Sequence, residues 1–155
     1  MKGTKRYSGL RGIPLMPHPG ISSDHRQGGP NSLRVLIADD SEFVRIGLRL
    51  ILRERPDWDI CEDAANGREA ISKVSELSPD IVLLDVAMPV MNGFEAAKEI
   101  RLIAPGTKLV FMSMHGVPTT DVLLGADAFI SKTVLTDQLL ATIERVVGLS
   151  QRLPA

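Results

Sequence analysis

The 155-residue chain has a single cysteine and no long apolar run, and each shortage excludes a class of protein. One cysteine, Cys61, cannot form a disulfide framework or a cysteine-based metal site, and we expect it to be a small buried hydrophobic side chain. No apolar run approaches the roughly 20 residues that a membrane helix needs. Pro14, Pro17 and Pro19 interrupt the one candidate for a signal-peptide core. We therefore expect a cytoplasmic protein without a membrane segment.

An excess of charge is also lacking, because the net charge is −1. Residues 1–32 carry five basic residues and one acidic residue, whereas residues 33–155 carry 13 basic and 18 acidic residues. The first segment is rich in glycine and proline and has no apolar period, so we expect a disordered basic tail over 1–32. The acidic remainder argues against nucleic acid as the main ligand of the folded part.

From Leu33 onward, short apolar runs alternate with amphipathic stretches. The pattern predicts strands over 33–38, 59–64, 80–85, 108–114 and 128–131, and helices over 41–55, 67–77, 93–104, 119–125 and 135–149. Alternating strands and helices favour parallel pairing with right-handed crossovers, and runs this apolar favour a sheet covered on both faces. The expected fold class is α/β, a doubly wound five-stranded parallel sheet.

The first predicted helix has clear start and stop signals. Ser41 or Asp40 can cap it, and Pro56 ends it. Its core-facing stripe is predicted at helical spacing, from Phe43 or Val44, through Gly47 or Leu48, to Ile51.

Acidic residues follow two of the predicted strands. Asp39 and Asp40 come after the first strand, and Asp85 ends the third. Functional groups collect at the carboxyl ends of strands in such a sheet. If these two strands are neighbours, three carboxylates converge, and their mutual repulsion requires a cation. Ligands that offer only oxygen suit Mg²⁺. Taken alone, the pair Asp39-Asp40 is equally consistent with a solvated helix start, where acids suit the helix dipole.

The ends of the fourth and fifth predicted strands supply phosphate-binding groups. Ser113 ends the fourth strand and Lys132 follows the fifth. A carboxylate beside Mg²⁺ can act as a nucleophile toward phosphorus, and an ammonium group and a hydroxyl can bind phosphate oxygens. The sequence therefore predicts a site for making and holding an aspartyl phosphate, with Asp85 as the acceptor. For Ser113 the competing interpretation is a hydroxyl that bonds only to nearby backbone.

Four ordered stretches, "VLIADDSEFVR", "DIVLLDVAMPVMNGFEA", "VFMSMH" and "GADAFISK", resemble the receiver domain of bacterial two-component response regulators. Within that family, the stretches "ANGREA", "SMH" and "GADAF" are most similar to those of NarL/FixJ-type receivers. The resemblance covers residues 33–149, leaves 150–155 as a C-terminal tail, and implies a flavodoxin-like receiver fold. It also implies that Asp85 accepts a phosphoryl group from a sensor histidine kinase or a phosphotransfer protein.

The resemblance assigns further roles by position. Mg²⁺ would be held by Asp39, Asp40, Asp85 and the backbone carbonyl of Ala87. Ser113 and Lys132 would contact the phosphoryl oxygens. Ser113 and Phe129 would take part in the conformational switch, although Phe129 is almost as well explained as an ordinary core aromatic residue. Pro89 and Gly93 would shape the loop after Asp85.

Two departures from the family pattern affect the predicted output. The segment from His115 to Gly125 is about one helical turn short, which implies a shortened fourth helix. The sequence printed ends at Ala155, where NarL/FixJ-type members continue into a DNA-binding domain. We therefore expect a stand-alone receiver that signals to an unknown downstream protein by protein–protein contact. The only chemistry expected of it is Mg²⁺-dependent self-phosphorylation and dephosphorylation at Asp85.

Two alternatives and one further question stay open on the sequence. The chain is alternatively a truncated remnant of a NarL/FixJ-type transcription regulator, or an interaction module that is not phosphorylated. The sequence leaves open whether the protein forms a homodimer.

Overall fold

A computed structural model describes residues 29–116 and 125–151 of the chain. Its strands are β1 (Leu33–Ala38), β2 (Trp58–Ala64), β3 (Ile81–Asp85), β4 (Lys108–Ser113) and β5 (Ala128–Ser131). Its helices are α1 (Glu42–Leu52), α2 (Gly67–Leu77), α3 (Gly93–Ile103), a 3₁₀ turn (Lys132–Val134) and the C-terminal helix (Leu135–Gln151). The predicted tail up to residue 28 and the predicted short helix over 119–125, apart from its last residue, lie outside the described residues.

The five strands form one parallel sheet in the order β2-β1-β3-β4-β5. The prediction of a doubly wound parallel sheet is confirmed. β3 is the central strand, and β1 pairs with it directly, Ala38 opposite Leu84. The ends of these two strands, where the acidic residues lie, are therefore adjacent.

Successive residues of each strand point to opposite faces of the sheet, and both faces are covered. Leu36, Val82 and Leu84 pack on one face with buried residues of α2 and α3. Val35, Ile37 and Leu83 pack on the other face with α1 and the C-terminal helix. All five residues of β3 are buried.

Helix α1 is shorter than predicted, and it faces the core with the predicted alternative that contains Val44, Leu48 and Ile51. Its N-cap is Ser41, whose side chain accepts a hydrogen bond from the Val44 N–H. After Leu52 the chain tightens into i→i+3 hydrogen bonds, Glu54 N to Ile51 O and Arg55 N to Leu52 O. Pro56 explains this end, because the residue before a proline is pushed out of the helical region.

Phe43 was a wrong candidate for the core stripe of α1, since its side chain is 88% exposed. The buried residues of the helix are Leu48 and Leu52, and Val44 and Ile51 pack beside them. Of the alternatives drawn from the sequence, Val44 and Leu48 are the members that face the sheet.

Smaller differences concern single residues. β3 begins at Ile81, one residue later than predicted, and the exposed Asp80 carboxylate accepts the Arg34 N–H at 2.7 Å. Cys61 is half-buried, and its thiol donates to the Val35 carbonyl at 3.2 Å. Burial is the main cause that raises the pKa of Cys61. Across the described ranges, no helix is long and apolar enough to cross a membrane.

Candidate functional site

Three carboxylates converge at the carboxyl ends of β1 and β3. Asp39 follows β1 and is fully buried, Asp85 is the last residue of β3 and is 2% exposed, and Asp40 is exposed. One oxygen from each lies within 4.8 Å of the others. The convergence that the sequence predicted on condition that these strands are neighbours is therefore present in the fold.

Lys132 bridges the two buried carboxylates. Its Nζ lies 2.7 Å from Asp39 Oδ2 and 3.1 Å from Asp85 Oδ2, and its side chain is only 9% exposed. The residue opens the 3₁₀ turn after β5, a turn capped by the Ser131 hydroxyl. A nearly buried lysine is expensive unless it is paired, so this position is specified by the two acids.

Burial and the neighbouring charges shift the pKa of two members of the cluster, Asp85 and Lys132. Burial raises the pKa of Asp85, and the charge of Asp39 adds to this, against the opposing effects of the Ala87 N–H and Lys132. Burial alone would lower the pKa of Lys132, but its hydrogen bonds to Asp39 and Asp85 and their charges outweigh it, so the net shift is upward. Lys132 therefore stays charged, and a single ammonium group faces three acids.

This excess of negative charge favours the binding of a cation. Asp39 Oδ2 is fully buried and, apart from its ion pair with Lys132, has no hydrogen-bond partner among residues 29–116 and 125–151. Carboxylate oxygens gathered in one place, with a single ammonium group among three acids, are the ligand type that Mg²⁺ prefers. The residues present therefore fit a small hard cation.

Backbone groups hold the acids in place. Ser41 N–H donates to Asp39 Oδ1 at 2.9 Å, and Ala87 N–H donates to Asp85 Oδ1 at 3.2 Å. Arg45 on α1 donates from Nη1 to the Asp39 carbonyl at 2.8 Å. No pattern in the sequence selects Arg45, because its link to Asp39 depends on how α1 packs against the end of β1.

The loop after Asp85 closes tightly on the strand. The Gly93 N–H donates to the Val86 carbonyl at 3.1 Å, and a Cβ at Gly93 would lie 2.2 Å from the Asp85 carbonyl oxygen. Val90 adopts a left-handed conformation with φ of 67°, inside a three-residue turn in which Met91 N–H donates to the Pro89 carbonyl. A β-branched residue in this region is strained, so the surrounding contacts must hold the turn.

Ser113 and Phe129 take no part in the hydrogen bonds of the cluster among the described residues. The Ser113 hydroxyl donates to the His115 carbonyl at 2.7 Å and accepts the His115 N–H at 3.1 Å. Ser113 is buried at the end of β4, one residue after Met112, the partner of Asp85 across the sheet. Phe129 is half-buried against the core and pairs in register with Phe111. The structure thus unites Asp39, Asp40, Asp85 and Lys132, with Ala87 contributing its N–H.

The arrangement combines the buried carboxylate of Asp85, a fixed ammonium group and more carboxylate groups than that one ammonium group can neutralise. The parallel sheet positions Asp85 rigidly, and the open side at Asp40 leaves access from solvent. Such a set can bind a cation and a phosphoryl group together.

Comparison with known proteins gives a consistent result. The family described as Response regulator receiver domain matches residues 35–144. The chemotaxis protein CheY of Thermotoga maritima is 38% identical over 116 residues, which are 73% of this chain and 96% of CheY. The transcriptional regulatory protein DegU of Brevibacillus brevis is 30% identical over 125 residues, 79% of this chain and 53% of DegU.

Solved structures agree with the sequence relatives. The response regulator domain of Thermotoga maritima CheB superposes with a TM-score of 0.68 at 34% identity, covering 79% of this chain and 99% of that one. A CheY from Borrelia burgdorferi superposes with a TM-score of 0.69 at 30% identity, covering 74% of this chain and 89% of that one. The matched part of this chain therefore covers nearly the whole of some relatives, such as CheY, and about half of others, such as DegU.

Proposed function

The chain belongs to the response regulator receiver family, and from this premise we propose that Asp85 is its phosphoacceptor. The donor is a phosphohistidine on a sensor histidine kinase or on a phosphotransfer protein. A carboxylate oxygen of Asp85 forms the new bond to phosphorus while the phosphorus–nitrogen bond breaks and the histidine keeps the electron pair. The observation that supports this most directly is Lys132 Nζ, which bridges the buried Asp39 and Asp85 beside a third acid.

Mg²⁺ is the proposed cofactor, held by Asp39, Asp40, Asp85 and the backbone carbonyl of Ala87. When bound, it would offset the negative charge that otherwise repels an incoming phosphoryl group. The Borrelia burgdorferi CheY is described as a complex with CheX, BeF₃ and Mg²⁺, which supports extending this ion to the present site.

Lys132 and Ser113 are the proposed contacts of the phosphoryl oxygens. Lys132 already has its ammonium group 3.1 Å from Asp85. The Ser113 hydroxyl would have to leave the His115 carbonyl, and this exchange of hydrogen bonds would couple phosphorylation to the segment after β4. We propose that the receiver unit, 33–149, then signals by protein–protein contact from the surface near β4 and β5, with Phe129 as part of the switch.

The first experiment is intact-mass spectrometry after incubation with acetyl phosphate and Mg²⁺. We expect a gain of one phosphoryl group in the wild type, no gain in Asp85→Asn, and no gain in the wild type with EDTA. A Ser113→Ala variant should still gain the phosphoryl group, because Asp85 and the acids around it are intact, but more slowly, because one proposed contact of the phosphoryl oxygens is lost. A folded wild type that gains no mass, either from acetyl phosphate or from a histidine kinase, would leave only the interaction module that is not phosphorylated.

A second candidate is the receiver portion of a transcription regulator. It is favoured by the similarity to DegU, of which the matched region is about half. Reading the gene past the codon for Ala155 decides between the two, because a helix-turn-helix domain in the same frame would establish the second candidate.

A further inference from the structure

Arg45 reaches from helix α1 to the backbone between two of the acids. Its Nη1 donates to the carbonyl of Asp39 at 2.8 Å. That carbonyl belongs to the peptide group that joins Asp39 to Asp40, and a peptide group is planar, so a contact to its oxygen fixes the orientation of the whole group. A hydrogen bond from a charged donor is also stronger than one from a neutral donor. One side chain of α1 therefore holds the link between a buried acid and an exposed acid.

The two acids that share this peptide group are held in different ways. The Asp39 N–H donates to the Ala64 carbonyl at the end of β2 at 3.0 Å, and Asp39 Oδ1 accepts the Ser41 N–H at 2.9 Å. Asp40 is exposed, so packing does not fix its side chain. The direction in which the Asp40 carboxylate leaves the backbone therefore depends on the peptide group that Arg45 holds.

Arg45 is held in turn by Asp63, the next-to-last residue of β2. The Arg45 Nε lies 3.6 Å from Asp63 Oδ2. The same carboxylate accepts two hydrogen bonds from Arg49, from Nε at 3.1 Å and from Nη2 at 2.6 Å. Asp63 lies opposite Ile37 of β1, and Lys73 of α2 donates to its carbonyl. Contacts from β1, α1 and α2 thus fix Asp63, and Asp63 fixes the guanidinium group of Arg45.

We propose that Arg45 is a positioning residue of the metal site. Through the Asp39 carbonyl it directs the Asp40 carboxylate toward the cation, and Asp63 keeps Arg45 in place. This role rests on the proposed function, because it requires Asp39 and Asp40 to be ligands of Mg²⁺. Arg45 is not a ligand itself, since a guanidinium group has no acceptor atom. Removal of a group that orients a ligand typically weakens metal binding by roughly 10- to 100-fold.

The charge of Arg45 and its hydrogen bond act on Mg²⁺ binding in opposite directions. A guanidinium cation beside the acids repels Mg²⁺, so by charge alone its removal would tighten the binding of Mg²⁺. Loss of the hydrogen bond to Asp39 would release the peptide group and weaken the binding. The sign of the change in Mg²⁺ affinity therefore distinguishes positioning from simple electrostatics.

Isothermal titration calorimetry of the full chain with Mg²⁺ measures this affinity without a phosphoryl donor. Arg45→Met keeps a long side chain without a donor, and its dissociation constant should be about tenfold above that of the wild type. Arg45→Lys keeps a charged donor and should bind Mg²⁺ more tightly than Arg45→Met does. A dissociation constant of Arg45→Met that is equal to or below that of the wild type would overturn the proposal.

Arg49→Met is the matched control, because Arg49 shares the Asp63 carboxylate with Arg45 and donates to it rather than to Asp39. It should bind Mg²⁺ as the wild type does. Urea denaturation in EDTA measures the stability of both variants without the metal. If Arg45→Met and Arg49→Met lose stability alike and neither changes the Mg²⁺ dissociation constant, Arg45 only attaches α1 to the sheet and the proposal is wrong.

Asp63→Asn tests the second step while leaving Arg45 unchanged. It should weaken Mg²⁺ binding several-fold in the wild-type background, because the Arg45 Nε loses its partner. In the Arg45→Met background the same change should have little further effect, since Asp63 acts through Arg45. Equal weakening in both backgrounds would show that Asp63 acts by its charge and not by holding Arg45.

The wild type separates this role from the proposed function. If the wild type binds no Mg²⁺ in the titration, the acids are not its ligands, and the role of Arg45 is wrong together with that part of the proposed function. If the wild type binds Mg²⁺ and Arg45→Met binds it equally well, only the role of Arg45 is wrong.

Discussion

Asp40 is the exposed member of the acid cluster, so its charge can be removed without opening a cavity. Asp40→Asn relieves repulsion of the two buried carboxylates. We expect the free energy of unfolding in EDTA to rise by about 0.5–1 kcal/mol, a gain limited by solvent screening. Binding of Mg²⁺ should weaken in the same variant. Urea denaturation with and without Mg²⁺ measures both, and Glu99→Gln, an exposed acid on α3, is the control.

Cys61 provides a test of pH dependence. Burial, aided by Asp59 and opposed by Arg34, raises the pKa of its thiol, so iodoacetamide should label the native protein far more slowly than the unfolded protein at pH 8. Because the folded pKa is the higher one, the stability that Cys61 contributes is present below the ordinary thiol pKa of about 8.5 and is lost as pH rises through the folded value.

The stability difference between the wild type and Cys61→Ala should therefore shrink above about pH 8.5. Denaturation curves of both proteins at pH 7 and pH 10 measure the difference. Equal differences at the two pH values, or native labelling at the unfolded rate, would show that the thiol is not shielded.

For single residues, the sequence predicted which side chains lie together in the acid cluster. It did not predict the hydrogen-bond partners of each side chain. Asp39, Asp40, Asp85 and Lys132 could be chosen because each follows a strand. The hydrogen bonds between Ser113 and His115 could not, because a strand-end hydroxyl has several donors and acceptors in reach. Which of these donors and acceptors the hydroxyl uses depends on the conformation of the backbone after β4.

Among the elements, α1 shows where apolar periodicity is ambiguous. The helix has apolar residues on two faces, and one spacing rule fits both of them. The sheet decides which face is buried, since Val44 and Leu48 pack on it while Phe43 does not. The central strand posed no such problem, because all five of its residues are buried and neither of its faces has to be assigned to solvent.

The loop between β3 and α3 yields a prediction about glycine. A Cβ at Gly93 would lie 2.2 Å from the carbonyl oxygen of Asp85, a backbone atom at the end of the central strand. Gly93→Ala should therefore lower the free energy of unfolding by about 2–4 kcal/mol. Gly106→Ala is the control, because a Cβ there meets nothing within 4 Å. Urea denaturation compares the two, and similar losses in both would mean that the loop can move away without cost.

For the whole molecule, binding of Mg²⁺ should appear as stability. A ligand that binds only the folded state stabilises it by about 1.4 kcal/mol at tenfold above its dissociation constant. We expect the melting temperature to rise with Mg²⁺ concentration and to return on adding EDTA. Asp39→Asn should abolish the rise. If the melting temperature of the wild type does not change with Mg²⁺ concentration, the acids are not ligands of Mg²⁺.

The order of strands was the condition on which the predicted site depended. Alternating strands and helices indicated a parallel sheet, yet many orders of five strands share that pattern. The acids converge because β1 and β3 are neighbours, and Lys132 reaches them from the turn after β5. Distances of a few ångströms between such remote segments follow from side-chain packing across the whole sheet, which no local pattern contains.

The central position of β3 also determines how fast its backbone amides exchange their hydrogens with solvent. Its amides are flanked by strands on both sides and all five of its residues are buried, so they should exchange with deuterium only when the whole domain opens. β5, with a neighbour on one side only, and the turn that carries Lys132 should exchange sooner. Asp85 would then belong to the slowest part of the molecule and Lys132 to a faster one, so the lifetime of their contact would be set by the edge of the sheet.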